Sequence, residues 1–93
     1  MKTALITGAS RGIGKATAEL FADNGYAVII NYKKREKEAL NLVSEIREKG
    51  GTAMAVKADV SNETEVSEMM KKISENFSPV DVLINNPGTP RQK

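Results

Sequence analysis

The chain has 93 residues, 40% of them hydrophobic and 28% charged, with a formal net charge of +2. That length and composition fit one small folded domain, and the charge is too low to argue for a nucleic-acid or anionic-membrane partner. There is no histidine and no cysteine, which excludes a histidine base, a cysteine nucleophile, Cys/His zinc sites and disulfides.

No apolar run approaches the roughly 18 residues of a membrane span. Met1-Lys2-Thr3 leads straight into an apolar segment, so no secretory leader is expected and the setting is expected to be cytoplasmic. Residues 3–7 read as a first strand. Residues 11 or 12 to 24 read as a helix, with Ile13, Ala16, Thr17, Leu20 and Phe21 at helical spacing and Asn24-Gly25 as its stop. Residues 26–31 read as a buried second strand. Residues 34–49 read as a second helix with Ala39, Leu40, Val43 and Ile46 on its apolar face, ended by Gly50-Gly51. Residues 52–58 are a third strand. Residues 62–76 are a third helix whose face carries Val66, Met69, Met70, Ile73 and Phe77, with Asn62 and Glu65 spaced for a capping box. Pro79 marks a break, and residues 80–84 form a fourth buried strand.

Strands alternating with helices of this length imply βαβ units around a parallel sheet. With right-handed crossovers the expected fold is a three-layer, doubly wound α/β half-domain of the Rossmann type, strand order 3-2-1-4. Residues 1–88 are expected to form it and 89–93 to be a loose tail.

Between the first strand and first helix lies Thr7-Gly8-Ala9-Ser10-Arg11-Gly12-Ile13-Gly14. A glycine-rich turn opening a helix lets backbone N–H groups approach an anion, where the helix dipole also favours negative charge. The spacing is G-x-x-x-G-x-G rather than G-x-G-x-x-G. Gly8, Gly12 and Gly14 also suit a merely tight turn, Ser10 can be only an N-cap, and Arg11 only a surface charge. The strand-turn-helix setting favours phosphate binding.

These residues resemble the short-chain dehydrogenase/reductase family. The turn is similar to its T-G-x-x-x-G-I-G signature, Asp59-Val60 to its adenine-contacting pair, and Asp81-Val82-Leu83-Ile84-Asn85-Asn86-Pro87-Gly88 to its D-x-L-x-N-N-A-G segment. The branch it looks most like is the bacterial 3-oxoacyl-carrier-protein reductases. The resemblance implies a nicotinamide dinucleotide held by Gly8, Ser10, Arg11, Gly12, Ile13, Gly14, Tyr32, Lys33, Asp59, Val60, Asn86 and Gly88. Pro87 departs from the family's alanine and removes an N–H from that turn.

The family's downstream half, with catalytic Ser and Tyr-x-x-x-Lys, has no counterpart here. Tyr26 is followed four residues on by Ile30, and Tyr32 by Glu36. The resemblance therefore implies the cofactor-binding part of a carbonyl reductase, truncated before its catalytic residues and inactive alone. Small carbonyl or acyl-carrier substrates would belong to the full-length parent. The alternative is a non-catalytic nucleotide-binding or structural fragment.

Doubly wound folds place an acid after the second strand for NAD and cations for NADP. Here the segment reads Asn31-Tyr32-Lys33-Lys34-Arg35, without an acid, so NADP (NADPH) is the expected cofactor. Asp59 suits either an adenine contact or a cap of the third helix. The fourth strand, with nothing following to pair it, is expected to make the chain a homo-oligomer.

Overall fold

A computed structural model of the chain describes residues 1–8 and 12–85. The elements alternate as β1 (Thr3–Thr7), α1 (Gly12–Asp23), β2 (Ala27–Tyr32), α2 (Glu36–Glu48), β3 (Thr52–Lys57), α3 (Glu63–Asn76) and β4 (Val82–Asn85). The four strands form one parallel sheet in the expected order β3-β2-β1-β4. Leu5 pairs with Ile29 on one side and Leu83 on the other, which sets the register across the sheet centre.

Parallel strands covered on both faces read as continuous apolar runs. β1 is buried throughout, and β2 along all but its last residue. Ile6, Val28, Ile30 and Ala53 meet Ala18 of α1 and Ala39, Leu42, Val43 and Ile46 of α2 on one face. Leu5, Ile29 and Val56 meet Met69 and Ile73 of α3 on the other.

Both glycine stops act as expected, through the same device. Gly25 and Gly50 have φ values of 86° and 88°, a left-handed conformation that side chains disfavour. Gly25 N–H donates to the Ala22 carbonyl and Tyr26 N–H to Phe21, while Gly50 N–H donates to Arg47 and Gly51 N–H to Ile46. These are paired Schellman closures, which satisfy the last carbonyls of a helix. The Tyr26 and Phe21 rings meet edge to face at 4.9 Å, supplying the hydrophobic contact that accompanies the motif. Tyr26 is thereby occupied outside the sheet, so β2 begins at Ala27 rather than 26 and runs through Tyr32.

Other boundaries and faces differ from the sequence expectations. α2 begins at Glu36 instead of 34, leaving Lys33, Lys34 and Arg35 ahead of it and two glutamates in its first turn; positive charge is disfavoured at a helix N-terminus and negative charge favoured. β4 runs Val82–Asn85 rather than 80–84 and is not buried as expected: Val82 and Ile84 are half-buried and Leu83 and Asn85 exposed, since no described strand covers its outer side. Asp81 N–H donates to the Thr3 carbonyl, and its carboxylate accepts the Thr3 N–H at 2.8 Å. Leu40 is 49% exposed and Leu42 is buried in its place, because residues 39, 42, 43 and 46 form the stripe that meets the sheet. Met70 faces outward, while Met69 and Ile73 fill the core. Ile13 and Leu20 are also exposed, since the side of α1 toward the sheet is carried by Gly14 and Ala18.

Candidate functional site

In a doubly wound sheet, ligands sit outside the carboxyl ends of the strands, where the winding reverses. Here the reversal lies between β1 and β4. From β1 the chain winds outward through β2 and β3, then returns to the far side of β1. Thr7 and Asn85 close the two strands at this point, with the Thr7 hydroxyl donating to Asn85 Oδ1 at 2.8 Å. Gly8 follows with φ 64° and Gly12 opens α1 with φ 66°, both in the left-handed region where glycine is at ease. Among the described residues, its chain neighbours aside, no atom lies within 4 Å of the place a Gly12 Cβ would occupy, so they leave the backbone at Gly12 open to an approaching group. Gly14, the third residue of α1, is buried. Gly8 and the N-terminus of α1 thus lie at the reversal point, with the positive end of a 12-residue helix toward it. Ile13 is 80% exposed beside it. Ser10, Arg11, Asn86 and Gly88 lie outside the described residues.

The second group of expected residues converges from β2 and β3. Asn31 is buried, and its side-chain amide donates to the carbonyls of Val56 and Ala58 at 3.3 and 3.1 Å and lies 3.5 Å from Met69 Sδ. It ties the end of β2 to the segment leading into Asp59. Its signal in the sequence was an amide inside an apolar run, and its role there went unread. Tyr32 stands at the rim, its hydroxyl donating to Glu36 Oε2 at 3.3 Å. Burial, followed by the adjacent Glu36 charge and this hydrogen bond, raises its pKa above the usual tyrosine value.

Lys33 reaches across to Asp59, Nζ to Oδ2 at 3.2 Å. Asp59 is itself anchored. Its Oδ1 accepts from Ser61 N–H at 2.9 Å and Ser61 Oγ at 2.7 Å, and its own N–H donates to Glu65 Oε1 at 2.8 Å. The Ser61 hydrogen bonds, then Lys33, hold the Asp59 carboxyl down at about 2. Asp59 does not cap α3. Asn62 does, accepting from Glu65 N–H at 3.1 Å. The capping box is therefore half formed, because the Glu65 carboxylate reaches past Asn62 to Asp59. Val60 is 53% exposed alongside.

Folding thus sets an acid from the segment after β3 beside the first cation after β2. Arg35 is paired as well, with Glu38 at 3.4 Å. A cavity of about 270 Å³ lies elsewhere, between the C-terminal ends of α1 and α2 and lined by Glu19, Ala22, Asp23 and Glu45 among others. It is at the opposite end of the strands from the glycine turn. Among the described residues there is no cluster that could hold a metal ion and no helix long and apolar enough to cross a membrane.

Residues 2–93 match the short chain dehydrogenase family. The chain is 48% identical over 90 residues to a 3-oxoacyl-[acyl-carrier-protein] reductase of Synechocystis sp., covering 97% of this chain and 36% of that protein. It is 42% identical over 88 residues to a hydroxynaphthalene reductase-like protein of Metarhizium guizhouense, covering 95% and 33% respectively. Among solved structures, a dehydrogenase/reductase from Sinorhizobium meliloti superposes with a TM-score of 0.87 at 38% identity, over 91% of this chain and 34% of the other. A short-chain dehydrogenase/reductase variant from Serratia marcescens superposes with a TM-score of 0.88 at 30% identity, over 99% and 38%. The chain spans about 36% of the length of the first of these relatives. The glycine turn at the winding reversal and the match across the whole length agree, and the chain belongs to the short-chain dehydrogenase family of oxidoreductases, whose members bind a nicotinamide dinucleotide.

Proposed function

We propose that this chain is the dinucleotide-binding part of an NADP-dependent carbonyl reductase similar to the 3-oxoacyl-carrier-protein reductases, and that these 93 residues do not catalyse the reduction by themselves. One observation carries the reading: the left-handed glycines Gly8 and Gly12 and the N-terminus of α1 at the carboxyl end of β1, with Lys33 at the neighbouring end of β2. Backbone N–H groups from the Gly8–Gly14 segment and the α1 dipole hold the pyrophosphate. Lys33, with Arg11 as a second cation, meets the 2′-phosphate. Asp59 and Val60 meet the adenine edge, and Asn86 and Gly88 add further cofactor contacts.

The residues described fit that group. Gly12 is clear of the other described residues, the helix end is positive and Lys33 is exposed enough to reach a phosphate. When bound, the nicotinamide supplies hydride to a carbonyl carbon. What this chain contributes is binding and orientation of the adenosine-phosphate end. Proton donation needs a positioned acid, worth roughly 10²–10⁴ in rate, and neither tyrosine is followed by lysine at the fourth position.

The test is calorimetric titration of the purified chain with NADPH and with NADH, alongside an assay for NADPH-dependent reduction of a 3-oxoacyl substrate. NADPH is expected to bind weakly but more tightly than NADH, and no turnover is expected. Equal or tighter NADH binding would sink the NADP assignment. Turnover that a Gly14 substitution abolishes would sink the non-catalytic part.

A further inference from the structure

We infer that Lys33 serves two anions at once, and that Asp59, by holding Lys33 and adding its own negative charge, limits how strongly this site prefers a 2′-phosphorylated adenosine to an unphosphorylated one. The inference rests on the cofactor reading above and adds a specificity-determining role to Asp59 that does not depend on touching the phosphate.

Lys33 extends from the end of β2, and its only ion pair among the described residues is with Asp59. The ammonium has three donors and no acceptor, so one contact with Asp59 leaves others for a phosphate oxygen. Asp59 is poorly able to follow Lys33 if the lysine moves, because Oδ1 is fixed by two hydrogen bonds from Ser61 and the backbone at Asp59 is fixed by Glu65. Only Oδ2 is turned toward Lys33. Asn31, bonded to the Val56 and Ala58 carbonyls, prevents the ends of β2 and β3 from spreading. A dianionic phosphate brought to Lys33 must therefore share that cation with a stationary carboxylate. An unphosphorylated ribose carries no such charge and meets no such penalty. Discrimination between the two is set by the balance of Lys33 against Asp59, not by Lys33 alone.

The experiment compares adenosine 2′,5′-bisphosphate with 5′-AMP by calorimetry, on the wild-type chain, Asp59→Asn, Lys33→Met and the double variant. Asparagine keeps an Oδ1 for Ser61, and melting curves establish that each variant folds. Asp59→Asn is expected to raise the bisphosphate-to-AMP affinity ratio about two- to five-fold, the scale of an exposed ion pair, with the gain shrinking as salt is added. Lys33→Met is expected to lower the ratio. In the Lys33→Met background, Asp59→Asn is expected to change the ratio less than it does alone. An unchanged or lowered ratio in Asp59→Asn, with both nucleotides still binding, overturns the inference and leaves the cofactor reading intact. Binding of neither nucleotide to the wild-type chain overturns both. A readout independent of nucleotide is the titration of the Asp59 carboxyl carbon by NMR. Its midpoint is expected to rise in Lys33→Met, and an unmoved midpoint means that the pair is not held in solution and the inference is wrong.

Discussion

Gly51 shows how one missing side chain sets a turn. A Cβ placed there would lie 2.7 Å from Ile46 Cγ2 and 3.1 Å from the Ile46 carbonyl oxygen. Ile46 is buried in the core and its carbonyl accepts the Gly51 N–H at 2.9 Å, so neither atom can retreat without loosening the closure of α2. Gly51→Ala is expected to destabilise the chain by roughly 1–3 kcal/mol, the usual cost of overpacking. Gly50→Ala should cost about 1–2 kcal/mol for a different reason, its left-handed φ, since nothing stands where its Cβ would go. Paired chemical melts measure both. If Gly51→Ala matches the wild type, the α2–β3 connection is looser than its packing indicates.

The segment between β3 and α3 is an element whose contacts converge on one ionised carboxylate. Asp59 accepts from Ser61 twice and pairs with Lys33, Asn62 N–H donates to the Asp59 carbonyl at 2.9 Å, and Asn62 caps α3. The folded pKa of Asp59, about 2, is below the ordinary value of about 3.9. A depressed carboxylate adds stability that is complete above its unfolded pKa and disappears as pH falls through its folded one. The contribution of this turn is therefore expected to be full above about pH 4 and lost progressively toward pH 2. Thermal melts across that range should show the wild type losing more than Asp59→Asn, because the variant has nothing to protonate there. Parallel losses in the two proteins would mean that other carboxylates carry the acid sensitivity.

For the molecule as a whole, the two edges of the sheet differ. On β3 the Arg47 guanidinium donates twice to the Ala53 carbonyl, from Nε at 3.0 Å and Nη2 at 2.8 Å, which occupies an edge acceptor. On β4, no described strand pairs along the side away from β1. Leu83 is 60% exposed on the α3 side of that strand. The exposed Ile13 and Leu20 lie on the flank of α1 opposite Lys15, Glu19 and Ala22, which face α2, and so project toward the β4 side. Open strand edges favour association, and exposed apolar side chains beside them add to it. We expect the 93-residue chain to self-associate through β4. Sedimentation across a concentration series should show species larger than a monomer, and Leu83→Lys should reduce them. A concentration-independent monomer would show that this edge is protected. Persistence of the larger species in Leu83→Lys would locate the contact elsewhere.

Much of this was written locally. The alternation of strands and helices, the Gly25 and Gly50 stops and the glycine turn at Gly8 and Gly12 depend on periodicity and on φ values that neighbouring residues dictate, so they were legible without a fold. The sheet order followed from handedness applied to those elements. Apolar faces were less legible. Leu40 and Leu42 are equally hydrophobic, and only the angle at which α2 meets β2 and β3 decides that Leu42 goes in. The charges around the expected cofactor end were least legible. Read linearly, Lys33 and Arg35 stand in a basic run with no acid before Glu36; Arg35 finds its partner three residues on, at Glu38, but only folding brings Asp59 to Lys33. The sequence by itself determined the course of the backbone, because hydrogen-bond geometry and steric limits act between near neighbours. The tertiary structure alone decided which charges meet and which apolar side chains are shielded, because Coulomb attraction and burial depend on distances that exist only once the strands lie side by side.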